Sequence, residues 1–174
     1  MANSYSKAKG RNEKGRFVAL PHHCLNHENY KRMNHKAKAL FVDIAAQYNG
    51  SNNGDLCIAY SIMKKQGWKS KQTLFLAMDE LQHYGWIVRT RIGGMNNTPH
   101  LYAITFHSID ECKGKLDIKP TKTPPGNWKT EVEKWIKPER YQSNFDTLEN
   151  KSMVQTQYLV STNAVPKAVN KAEI

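Results

Sequence analysis

The amino-acid sequence predicts an α+β fold: a small helical core closed by a β-hairpin, with a partly disordered C-terminal extension. Three observations carry this. Ala37, Leu40, Phe41, Ile44, Ala45 and Tyr48 recur at helical spacing and make one continuous apolar face. Leu74, Ala77, Met78 and Leu81 repeat the pattern behind Ser70. Two β-prone runs, WIVRTRI (86–92) and HLYAITF (100–106), flank seven residues rich in Gly, Asn and Pro.

Each element follows in order. Residues 1–16 hold Lys7, Lys9, Arg11, Lys14 and Arg16 with almost nothing apolar, so they are expected to form a flexible basic arm. FVAL (17–20) is a short apolar run ended by Pro21. HENYKRM (27–33) has room for two helical turns with Tyr30 and Met33 on one side. Asn34 then reads as the N-cap of the long apolar helix, which Asn49-Gly50 is expected to end in the left-handed conformation. SNNGD is a polar turn, and Leu56-Cys57-Ile58 a small strand. YSIMKKQ (60–66) reads as a short helix with Ile62 and Met63 inward and Lys64 and Lys65 outward, closed by Gly67. After the turn at Trp68-Lys69, Ser70 caps the helix 71–84, and Gly85 ends it. The two strands that follow should pair as an antiparallel hairpin.

Beyond Phe106 the composition changes. Residues 107–126 include the Pro-rich stretch KPTKTPPG and read as an extended connector. Residues 127–137 are expected to form a short helix with Trp128 and Trp135 on one face, docked back on the body rather than on a partner. Residues 138–174 are mostly polar and read as a low-order tail. The organisation is thus an arm (1–16), a folded domain (17–106), a connector, a helix and a tail.

The chain has 174 residues and a formal net charge of +11. Residues 1–106 hold 15 Lys and Arg against 6 Asp and Glu, a surplus of +9, which leaves +2 for residues 107–174. The basic excess therefore belongs to the arm and the folded domain, and suits an anionic partner. No apolar run is long enough to span a membrane and the basic N-terminus has no apolar signal region, so a cytoplasmic protein is expected. Cys24, Cys57 and Cys112 are too few and too widely spaced for a disulfide framework.

Enzymatic signatures are absent from the sequence. His22-His23-Cys24 with His27 is one tight cluster, whereas zinc sites use two spaced ligand pairs, so no metal and no cofactor is expected. There is no His-apolar-His pair of a rolling-circle nuclease, no P-loop and no nucleophile elbow, and the carboxylates are scattered. The chain is not expected to be an enzyme.

The order helix, short strand, short helix, tight turn, capped helix, hairpin matches a helix-turn-helix followed by a wing. It resembles the winged helix-turn-helix superfamily over residues 17–106. QYNGSNNGDL, KKQGWKSKQTLFLAMDEL, HYGWIVRTRIGG and LYAITF resemble winged-helix proteins of prophages and other bacterial mobile elements. Those modules are similar to the DNA-binding domains of plasmid and phage replication initiators. The resemblance implies sequence-specific binding of double-stranded DNA, in transcription regulation or replication initiation. The alternative is a protein-interaction module, for example a phage-encoded inhibitor of a host system. A protein partner on the C-terminal extension and a homodimer are further assemblies left open.

In such a site the N-terminal half of the recognition helix enters the major groove. Here it carries Lys69, Ser70, Lys71, Gln72, Thr73 and Phe75. Gln72 suits bidentate pairing with adenine, and Lys69 and Lys71 suit phosphate or guanine. Ser70 is expected to be used up as the cap. Thr73 divides between a phosphate contact and a first-turn structural role, and Phe75 is expected to pack. Lys64 and Lys65 are phosphate candidates. Arg89 and Arg91, two apart on a strand, should share one face beside the minor groove, with Asn96 and Asn97 at the wing tip. The arm is expected to track a groove or the backbone.

Overall fold

The computed structural model describes residues 17–94 and 98–141. The chain forms two units, one running to Trp135 and one from Ile136 onward. The described part of the second is residues 136–141, a 3-10 turn (Glu139–Tyr141) with the Arg140 guanidinium over the Tyr141 ring. The first unit is α+β, with five α-helices and a three-stranded antiparallel sheet among the described residues. Among those residues no helix is long and apolar enough to cross a membrane.

The N-terminal helices are single turns: α1 (His22–Leu25) and α2 (Glu28–Lys31). The two-turn helix expected over residues 27–33 is thus shortened. His27 stays extended and acts as the cap, its Nδ1 accepting from the Asn29 amide. Tyr30 packs against the core and Met33 is buried, on the inner side as the pattern requires.

Helix α3 (His35–Gln47) starts where its cap predicts. Asn34 Oδ1 accepts the Ala37 amide at 2.9 Å, and Ala37, Leu40, Phe41, Ile44 and Ala45 are buried along one face. Its end differs from the expectation. Tyr48 is already extended and the Gln47 carbonyl is taken by the Asn52 side chain at 3.0 Å, so the helix ends before the residue of positive φ, Gly50 at +103°. The Asn34 side chain and backbone amide both donate to Glu80, a carboxylate only 2% exposed on the facing helix. Burial pushes its pKa up, and the two Asn34 donors oppose that shift.

The sheet has the order β1 (Leu56–Cys57), β3 (Leu101–Ile104), β2 (Ile87–Arg91). Leu56, Ile87, Tyr102 and Ile104 face the helical core. Leu101 and Ala103 point the other way and are buried as well, so the central strand is covered on both faces. Both sheet edges are blocked. The Gln47 amide brackets the Cys57 backbone, donating to its carbonyl and accepting its N–H. Asp117 caps β2, with its N–H on the Thr90 carbonyl and its carboxylate on the Ile92 amide.

The turn SNNGD hides a buried residue. Asn53 is fully buried, with its Nδ2 donating to the carbonyls of Ile104, His107 and Ser108 and its Oδ1 accepting the Ile104 amide at 2.7 Å. One side chain thus ends strand β3 and starts the return of the chain.

That return corrects two expectations. Residues 107–126 are tied to the body: Asp110 N–H to the Asn53 carbonyl, and Gly126 N–H to the Thr105 carbonyl. The helix expected over residues 127–137 is replaced by a 3-10 turn (Asn127–Lys129) and extended chain from Thr130. The Asn29 amide takes the carbonyls of Trp128 (2.9 Å) and Thr130 (2.7 Å), the acceptors that a helix would have used internally. Both tryptophans dock on the body. Trp128 is 5% exposed and lies parallel to Trp86 at 5.1 Å, while Trp135 is half-buried and its backbone N–H donates to the Tyr84 hydroxyl.

His107 links this return to acid sensitivity. Its ring stacks on Tyr48 at 4.6 Å, and burial holds its pKa below the ordinary imidazole value, with Asp110 opposing. A folded value below the unfolded one stabilises the fold above the ordinary value. That contribution is lost as pH falls through the depressed folded value. Urea midpoints at about pH 7.5 and about pH 5 should therefore differ more in the parent than in His107→Phe. Equal differences would remove His107 from the account.

Candidate nucleic-acid interface

The residues that could meet an anionic polymer gather around one turn. Helix α4 (Tyr60–Met63) tightens into a 3-10 turn (Lys64–Gln66), and Gly67 at φ +97° reverses the chain. No Cβ-bearing residue adopts that φ without strain. Met63 is buried, but Ile62, expected inward, is 41% exposed. Neighbouring residues on a helix lie about 100° apart, and so short a turn lets only one of the pair face the core. Lys64 and Lys65 are exposed, as their positions require.

The turn is held from two sides. Trp68 is buried, and its indole N–H donates to Asp43 of α3 at 2.7 Å. The Tyr60 hydroxyl donates to the Lys69 carbonyl at 2.9 Å. Ser70 Oγ then accepts the Thr73 amide, which starts α5 (Lys71–His83) and commits the hydroxyl to capping. Leu74, Ala77 and Leu81 are buried, Met78 packs against the core, and Gly85 at φ +71° follows the end of α5.

What remains outside is the first turn of α5. Lys69, Ser70, Lys71 and Gln72 are exposed and Thr73 is half-buried. Phe75, expected to pack, is 37% exposed, because α5 turns the stripe of Leu74 and Ala77 inward and leaves position 75 beside Lys71 and Gln72. Lys36 of α3 lines the same cleft as Lys69, Ser70 and Thr73. No local pattern marks Lys36 or Tyr60, since their relevance arises only from how α3 and α4 meet the turn.

The hairpin arginines separate. Arg89 pairs with Tyr102 and Arg91 with Leu101, and the bulge between them makes room for Thr90, whose hydroxyl donates to the Gly54 carbonyl. Successive residues of β3 face opposite sides, so Arg89 and Arg91 do too, against the expectation of one shared face. Arg89 is exposed on the side where the Tyr102 hydroxyl meets Met78 of α5. Arg91 is half-buried and donates to the Pro99 carbonyl at 3.1 Å, closing the hairpin loop. Asn96 and Asn97, and the arm residues Lys7, Lys9, Arg11, Lys14 and Arg16, lie outside the described residues.

The His-Cys cluster does not converge. His23 stacks on Trp128, His27 meets its edge, and Cys24 is buried with its thiol pushed up to about 11. Among the described residues, no group of three or more His, Cys, Asp or Glu is arranged to hold a metal ion.

The arrangement offers cations, an amide and an aromatic edge on one capped helix start, with a further cation on the adjoining hairpin. Comparison with known proteins finds no matching family model, no matching curated protein and no matching solved structure.

Proposed function

We propose that the chain is a winged helix-turn-helix protein that binds double-stranded DNA in a sequence-specific manner, in transcription regulation or replication initiation. The reading takes α5 as the recognition helix and the β2–β3 hairpin as the wing. The observation that carries it is the first turn of α5. That turn is capped by Ser70 and braced by Trp68 and Tyr60, and it leaves Lys69, Lys71 and Gln72 exposed. A rigid helix end of this kind suits the major groove, where Gln72 reads adenine and the lysines meet phosphate or guanine. Arg89 supplies a hairpin cation on the same side of the sheet as α5. No catalytic step and no cofactor enters the reading.

Gel-shift titration over a salt series is the direct test. With about six cations on phosphates, affinity should fall about a thousandfold between ~50 and ~200 mM salt. No binding to any duplex, or binding indifferent to salt, would sink the proposal. The second reading, a protein-interaction module, is favoured by two exposed apolar side chains, Ile62 on α4 and Phe75 on α5.

A further inference from the structure

We propose that Tyr60 is the positioning residue of this helix start: one side chain, at the beginning of α4, sets where Lys69 and Lys71 present their charges. The inference rests on the DNA-binding reading above and deepens it.

Two contacts carry the argument. The Tyr60 hydroxyl donates to the carbonyl of Lys69, the last residue before the cap, at 2.9 Å. The Lys71 ammonium stands over the Tyr60 ring, 5.6 Å from its centroid. The first contact holds the backbone where the turn enters α5. The second restrains a four-carbon side chain that would otherwise sample many rotamers. Tyr60 itself is anchored, packed against the core at the first position of α4. Together with the bond from Trp68 to Asp43, it makes the turn a braced corner rather than a free loop.

A lysine oriented before binding loses less rotamer entropy when it meets a phosphate, so the ring should strengthen binding without touching DNA. A Tyr60 that only packs would affect the folded fraction and nothing else. The two roles separate in Tyr60→Phe and Tyr60→Leu, made in the full chain. Phe keeps the ring under Lys71 and loses the bond to Lys69; Leu loses both.

The free protein is read first by NMR. The Lys71 side-chain methylene protons should be shifted upfield by the ring in the parent and in Tyr60→Phe, and unshifted in Tyr60→Leu. Affinity is then measured for a random-sequence duplex of about 20 base pairs across a salt series. Tyr60→Leu should bind about tenfold more weakly at every salt concentration with the parent's salt slope, because Lys71 still meets its phosphate and only its orientation before binding is lost. Tyr60→Phe should keep the parent slope and lose a fewfold in affinity.

A folded Tyr60→Leu with the parent's affinity would overturn the inference and leave the DNA reading standing. An unshifted Lys71 in the parent would do the same. A parent that binds no duplex would overturn the DNA reading, and the inference with it.

Discussion

A chain carrying Lys71→Glu together with Arg89→Glu should lose about a thousandfold in duplex affinity near physiological salt. Each phosphate contact is worth somewhat under a decade at that ionic strength, and reversing a charge both removes an attraction and adds a repulsion of similar size. Lys71 is exposed at the first position of α5 and Arg89 is exposed on β2, so neither change opens the core. A glutamate at position 71 also suits the positive end of the helix dipole, which works against any loss of stability. Thermal melting of the double variant should therefore stay near that of the parent. The decisive comparison is between this variant and Arg91→Glu. Arg91 is tied to the Pro99 carbonyl on the other side of the sheet, so its reversal should cost far less affinity. Unaltered duplex binding by the double variant would move the assignment to the protein-interaction alternative.

Trp128→Ala should destabilise the first unit by about 3–5 kcal/mol, the usual cost of emptying a buried aromatic site. Trp128 closes a stack in which its ring lies 8° from parallel with Trp86 while His23 and His27 contact it from α1 and the chain after it. Its removal also loosens the Trp128 and Thr130 carbonyls that the buried Asn29 amide depends on. A buried amide left without acceptors adds about 1–3 kcal/mol of its own. Trp128 Nε1 makes no hydrogen bond, so Trp128→Phe loses ring area and no polar contact, and should cost much less than Ala. Urea unfolding midpoints read the difference directly. A loss below about 1 kcal/mol for Ala would mean that the segment from residue 107 to Trp135 is not part of the cooperative unit. Duplex affinity of the folded variant should be unchanged. Trp135 meets Tyr84, just past the C-terminal end of α5, and the Lys69–Gln72 turn lies about 20 Å away along that 13-residue helix.

How much of this was legible beforehand depends on the range of the interactions involved. Asn34 and Ser70 were readable as caps because a cap bonds to an amide three residues on, inside the same sequence window. The inner faces of α3 and α5 were readable because a helix brings residues three and four apart onto one side. The candidate site was half legible for the same reason. The exposure of Lys69, Lys71 and Gln72 follows from the cap and the apolar stripe, whereas the bracing by Tyr60 and Asp43 comes from other elements. Arg89 and Arg91 misled, because alternation along a strand holds only without a bulge, and the bulge is tied down by the hydroxyl of Thr90 reaching Gly54.

The sequence by itself therefore determined the α+β class, the two long helices with their N-caps Asn34 and Ser70, the antiparallel hairpin and the concentration of positive charge before residue 107. Only the tertiary structure decided the fate of residues 107–135, the burial of Asn53 and the division of labour between the two arginines. Asn29 bonds the backbone 99 and 101 residues away, and Asn53 bonds backbone 51 to 55 residues away. Partners at that separation leave no period and no local motif in the chain. The same residues that favour a short helix from Trp128 in isolation form a 3-10 turn and then extended chain where the buried Asn29 amide claims the carbonyls of Trp128 and Thr130.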